Sequence, residues 1–233
     1  MKPYLNLKRV DSNLQTSNLQ IKVFMINVLL ITFTISLLYL AIANRLLTYI
    51  NVIAFQGIIL FGVAFIELSE INVVNLIFIL LETIVFKTLA VPMFLKYVIE
   101  KNNITREAEP YVPNFVSLIV VTFIIIITFL LANTITDIHL KKIYFVVALS
   151  SLFAGLYIIA TRKKIITHVM GYLVIENGVF ILSLAVGNEM PMLVNLGILL
   201  DIFVSVFLLG IFVNKVGDVL KDADVDHLRN LKD

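Results

Sequence analysis

The chain has 233 residues, is 60% hydrophobic and has a mean hydropathy of +1.01, whereas an ordinary soluble chain is only about 45–50% apolar. Its natural solvent is therefore lipid. The formal net charge of +2 gives no electrostatic reason to bind nucleic acid, and a chain without cysteine has no thiolates for disulfides, iron–sulfur clusters or a thiolate-ligated nickel.

Only helices and closed barrels satisfy every backbone polar group inside a bilayer. The apolar stretches here run to about 20 residues without period-2 alternation. The expected fold is all-α: a polytopic membrane helix bundle with about seven transmembrane helices. A polar N-terminal tail, residues 1–20, precedes an apolar run long enough to span, so no cleavable signal peptide is expected. The first three spans, at 21–44, 47–66 and 73–98, make up residues 21–99, and the third contains Pro92. A charged loop at 100–113 holds two of the five prolines and is the candidate hinge between halves. Residues 114–215 carry four more spans, at 115–134, 143–160, 165–186 and 192–214. Arg162, Lys163 and Lys164 end the fifth span. The charged C-terminal tail, 216–233, is expected in water or against a partner. Spans of 18–26 residues match a hydrocarbon core of about 30 Å at 1.5 Å per residue.

Counting Lys and Arg predicts the N-terminus outside and the C-terminus in the cytoplasm. Arg45, Lys96, Lys101, Arg106, Arg162, Lys163, Lys164, Lys215, Lys221, Arg229 and Lys232 then fall inside. Lys2, Lys8, Arg9, Lys22, Lys141 and Lys142 fall outside, and the basic N-terminal tail counts against this orientation. A shift of about 119 residues overlays the second and third spans on the sixth and seventh and places Glu82 on Asp201, as transporter-type repeats would.

A charged group within a span is costly and is by default a functional candidate. Four qualify: Glu82, Lys87, Glu176 and Asp201. Glu176 lies eleven residues into the sixth span, roughly 16 Å deep, near the midplane. His168, Tyr172 and Glu176 are spaced by four and share one helix face, leading from the basic end towards the midplane as a proton relay would. Gly171 and Gly178 permit close helix contact beside Asn177. Asp201 is mid-span in the seventh helix, and the short turn before that helix makes the two spans antiparallel neighbours. Glu82 and Lys87, five apart on one α-helix, would point about 140° apart, each towards a different partner. Pro92 removes the hydrogen bond to the Thr88 carbonyl and would kink the helix one turn from Lys87. For each of these the alternative is a structural contact: an interhelical hydrogen bond for the carboxylates, snorkelling for Lys87. Asn51, Gln56 and Gly57 are expected either to line the same interior or merely to join helices. Glu67, near a helix end, is expected to be solvated. Only His168 of the three histidines falls in a span, which argues against a bis-histidine haem. No phosphate-binding loop, metal-ligand spacing or nucleophile motif is present. No cofactor, metal site or small-molecule substrate of its own is expected.

Gly171-Tyr172-Leu173-Val174-Ile175-Glu176-Asn177-Gly178 resembles the G-Y-x-x-x-E-N-G motif of hydrogenase-4 component E. Phe86-Lys87-Thr88-Leu89-Ala90-Val91-Pro92 resembles that family's K-x-x-x-x-P motif, and Leu196-Gly197-Ile198-Leu199-Leu200-Asp201 its Asp-bearing helix. The tail Asp224-Val225-Asp226-His227-Leu228-Arg229-Asn230-Leu231 is similar to its D-V-x-x-L-x-x-L ending. Residues 141–215 also resemble the K subunit of complex I and the C subunit of multisubunit sodium/proton antiporters. By position, Glu176 matches the first membrane carboxylate of those proteins and Asp201 the second, which is Glu in the complex I subunit. Lys87 is matched by the component E motif only, and Glu82 by neither.

The resemblance implies a non-catalytic membrane subunit of a complex I-like, energy-converting [NiFe]-hydrogenase. It would couple redox chemistry in partner membrane subunits to proton or sodium translocation, with the metal centres in those partners. Two other functions remain open: a self-sufficient secondary transporter, which would need a substrate cavity, and a structural spacer subunit.

Overall fold

The computed structural model describes residues 2–68, 77, 82–101, 111–136 and 140–186. Its helices are α1 (Lys2–Ile42), α2 (Leu46–Leu68), a π-helix (Glu82–Ala90) continuing into α3 (Val91–Lys101), α4 (Asn114–Thr134), α5 (Lys142–Thr161) and α6 (Ile165–Val186). There is no strand among the described residues. Five helical segments are long and apolar enough to cross a membrane: Thr16–Ile42, Leu46–Glu67, Asn114–Thr134, Lys142–Thr161 and Ile166–Val186. The chain is thus a helical, multi-pass membrane protein. The predicted span at 73–98 is described only in part, and the one at 192–214, with Asp201, lies outside the described residues. The N-terminal segment read as a polar tail continues α1 as helix from Lys2.

The pairs α1–α2, α4–α5 and α5–α6 run antiparallel, and their ends meet. At one end, Asn114 Nδ2 donates to Asn44 Oδ1 at 2.9 Å, and the Tyr111 amide donates to the Thr161 carbonyl at 3.1 Å. This end gathers the C-termini of α1 and α5 and the N-termini of α4 and α6. At the opposite end the Lys141 amide donates to the Ala185 carbonyl at 3.3 Å. There Glu67, at the end of α2, accepts from Lys141 Nζ and, at 2.8 Å, from the Tyr144 hydroxyl. Glu67 is therefore half-buried and paired rather than solvated, because the start of α5 closes over it.

α5 and α6 pack backbone to backbone. A Cβ on Gly155 would lie 2.6 Å from the Gly171 carbonyl oxygen, and one on Gly178 would lie 3.0 Å from that of Ala148. Between these two contacts Ser151 Oγ donates to the Val174 carbonyl at 2.7 Å. Without a hydrophobic drive between helices in lipid, such small-residue contacts and interhelical hydrogen bonds hold the pair. Leu30, Phe33, Leu37 and Leu40 of α1 and Tyr49, Leu60 and Val63 of α2 are buried in the core. α4 faces outward, with Phe115, Phe123 and Phe129 exposed, as lipid-facing side chains are.

The third segment departs from its predicted form. Instead of an α-helix kinked at Pro92, it is a π-helix up to Ala90, and Pro92 is the second residue of α3. In an α-helix the Pro92 ring would collide with the carbonyl four residues back, at Thr88. The wider π turn immediately upstream is an adjustment that accommodates it.

Candidate functional site

α6 places Glu176 eleven residues after Ile165, about 16 Å along its axis. The π-helix places Lys87 opposite. Lys87 Nζ lies 3.9 Å from Glu176 Oε1, and the two side chains are 6% and 4% exposed. That separation is an ion pair longer than a direct hydrogen bond. The same ammonium sits 5.0 Å from the ring centroid of Phe180, one turn further along α6. α6 therefore offers Lys87 both a carboxylate and an aromatic face.

The depth of Lys87 follows from a close backbone approach. A Cβ on Gly57 of α2 would meet Thr88 Oγ1 at 2.7 Å and the carbonyl carbon of Lys87 at 3.2 Å. Only glycine lets α2 come so near. Thr88 Oγ1 in turn donates to the Thr83 carbonyl at 2.8 Å, a reach of five residues. The 140° expected between Glu82 and Lys87 assumed α-helical turns, whereas Glu82–Ala90 is a π-helix with a wider turn. Glu82 contributes backbone to the π-helix, and its side chain lies outside the described residues.

Beside the ion pair runs a chain of hydrogen bonds joining three helices. Asn177 Nδ2 of α6 donates to Gln56 Oε1 of α2 at 3.1 Å. Gln56 Nε2 donates to Ser36 Oγ of α1 at 2.8 Å, and Ser36 Oγ donates to the Phe33 carbonyl at 2.6 Å. The polarity is set by the last link, because a carbonyl only accepts. Ser36, Gln56 and Asn177 are all buried. Gln56 and Asn177 were recognisable as polar residues within spans; Ser36 was not singled out, since a lone Ser in an apolar run has no distinctive pattern. Asn51, by contrast, is exposed.

His168 and Tyr172 occupy the same face of α6 as Glu176, by their spacing of four. His168 Nε2 is 2.7 Å from the Arg162 carbonyl oxygen, and Tyr172 is half-buried. Arg162, the first residue of the basic run that ends the fifth predicted span, is drawn into the bundle. It is 2% exposed, its Nη2 donates to the Ala41 carbonyl at 3.0 Å, and it lies 5.8 Å from the Tyr49 ring. A guanidinium at a helix C-terminus satisfies carbonyls that have no intrahelical partner, so Arg162 fastens α1 to α5. Lys163 remains exposed. Among the described residues no three His, Cys, Asp or Glu side chains come together as metal ligands would.

No protein-family model matches the chain. No solved structure matches it. The chain is 24% identical over 189 residues, 79% of its own length and 85% of the other's, to a Mycobacterium tuberculosis protein described as "Uncharacterized protein Rv0085". The likeness thus runs through most of both chains.

Proposed function

We propose that the chain is a non-catalytic membrane subunit of a complex I-like, energy-converting hydrogenase of the hydrogenase-4 type, and that it helps move protons or sodium ions while partner subunits carry the redox chemistry. The observation that supports this is the buried Lys87–Glu176 pair. Each residue belongs to a separate motif of the resemblance, and the fold brings them together from different helices. A buried pair of opposite charges is a two-state element. A proton or cation reaching Glu176 neutralises it and weakens its hold on the Lys87 ammonium, and removing that charge restores the pair. His168 and Tyr172 would lead to Glu176 from the end that holds Arg162, and Glu82 and Asp201 would extend the path. Seven spans in a cell membrane, with the Arg162 end cytoplasmic, complete the reading.

The test uses the whole complex in sealed vesicles. Glu176→Gln and Lys87→Met should each lower ion translocation at least about tenfold, against smaller losses in hydrogen turnover. Unchanged translocation per hydrogen in both variants would refute the pathway and leave an inert structural pair. A purified chain that transports on its own in liposomes would favour the secondary transporter instead.

A further inference from the structure

A cavity of about 500 Å³ opens between α1, α4 and α5, away from the Lys87–Glu176 pair. Ile31 and Ile35 of α1 and Ile126 and Phe129 of α4 line it, and all four are also exposed on the outside of the bundle. The groove therefore faces the bilayer. On α4 its lining runs from Thr122 to Asn133, eleven steps of 1.5 Å, or about 17 Å. That is roughly half the ~30 Å hydrocarbon core. α4 begins at Asn114, so the groove stops well short of the Arg162 end.

The chemistry of the lining is one-sided. Thr34 and Thr122 lie in the groove, but their hydroxyls turn back onto the Leu30 and Leu118 carbonyls at 2.9 and 2.7 Å. They offer an occupant little but their methyl groups. Asn133 and Lys142 stand together at the opposite rim, close to the ends of α4 and α5. The neighbouring Lys141 is committed to Glu67, whereas Lys142 is exposed and has no ion pair among the described residues. An apolar slot one leaflet deep, with one exposed cation at its interfacial mouth, is complementary to one acyl chain beneath an anionic headgroup. A helix from a neighbouring protein would need a groove running the full depth of the membrane.

We infer that this groove is a binding site for an anionic phospholipid, its acyl chain lying along Ile35, Ile126 and Phe129 and its headgroup against Lys142 and Asn133. The inference needs the membrane but not the ion pathway.

Native mass spectrometry of the full-length protein, equilibrated with equal amounts of phosphatidylglycerol and phosphatidylcholine, tests it. One phosphatidylglycerol should be retained in preference to phosphatidylcholine. Ile126→Trp should fill the slot and abolish retention. Lys142→Gln, at an exposed position where folding is not at stake, should reduce the preference for phosphatidylglycerol about fivefold, the worth of one basic residue near an anionic lipid surface. Equal retention of both lipids, or a preference unmoved by Lys142→Gln, would overturn the assignment. So would crosslinking of Ile126→Cys to a second copy or a neighbouring protein in place of bound lipid.

Discussion

At the scale of single residues, the energetics of the ion pair differ from those of the amide chain beside it. Removing one member of a buried pair strands the other charge and costs about 3–5 kcal/mol, whereas replacing both by apolar groups is often neutral. Lys87→Met alone should therefore destabilise the protein by about 3 kcal/mol, and Lys87→Met combined with Glu176→Met should recover most of that loss. A double-mutant cycle measured by unfolding in mixed micelles checks this, and additive losses would show that the two side chains do not interact. Interhelical hydrogen bonds in membranes are worth less, on average about 0.6 kcal/mol. Ser36→Ala removes the acceptor of Gln56 and should cost about 1 kcal/mol, clearly less than Lys87→Met in the same assay. The sequence made Glu176 and Lys87 legible because a charge inside an apolar run is anomalous by itself. Their pairing was not legible, since nothing local to either residue specifies the opposing helix. The burial of Arg162 was not legible for the same reason: its partner, the Ala41 carbonyl, is distant in sequence and carries no side-chain signal.

At the scale of elements, the π-helix is what aims Lys87 at α6. Four predicted spans agree with helices to within a few residues, because 18–22 consecutive apolar residues in lipid have no other way to satisfy their backbone. The π-helix left no such trace. Its residues, from Glu82 to Ala90, are compatible with an α-helix one by one, and Pro92 is the only local hint of a changed register. Its position depends on the close approach at Gly57. Gly57→Ala places a methyl against Thr88 Oγ1 and against backbone atoms that cannot rotate away. Overpacking of this kind costs about 1–3 kcal/mol, and here it would push α2 from the π-helix and displace Lys87. The expected result is a stability loss of that size together with impaired ion translocation. Adding Thr88→Ala should recover only part of both, since the contacts with the Lys87 and Thr88 backbone persist. Full recovery would mean that the hydroxyl alone, and not the backbone approach, holds the register.

At the scale of the whole molecule, the two ends of the bundle differ in exposed positive charge among the described residues. Burial of Arg162 and pairing of Lys141 with Glu67 each subtract one cation from the surface counts made on the sequence. Among the described residues, Arg45 and Lys163 remain exposed at the Arg162 end, with Lys164 half-exposed; Lys142 is exposed and Lys22 half-exposed at the other, and Lys96 is paired with Glu100. Exposed Lys and Arg near span ends favour the cytoplasmic side, which supports the proposal that the Arg162 end lies inside. The absence of cysteine makes this directly measurable, since every thiol would be an introduced one. Lys163→Cys and Thr134→Cys occupy exposed positions at opposite ends of the bundle. In intact cells a membrane-impermeant maleimide should label Thr134→Cys and spare Lys163→Cys, which should react only after permeabilisation. The reverse pattern would invert the orientation and place the rim of the lipid groove in the inner leaflet. Labelling of both positions in intact cells would contradict an odd number of crossings between residues 134 and 163, and with it the assignment of α5 as a membrane span.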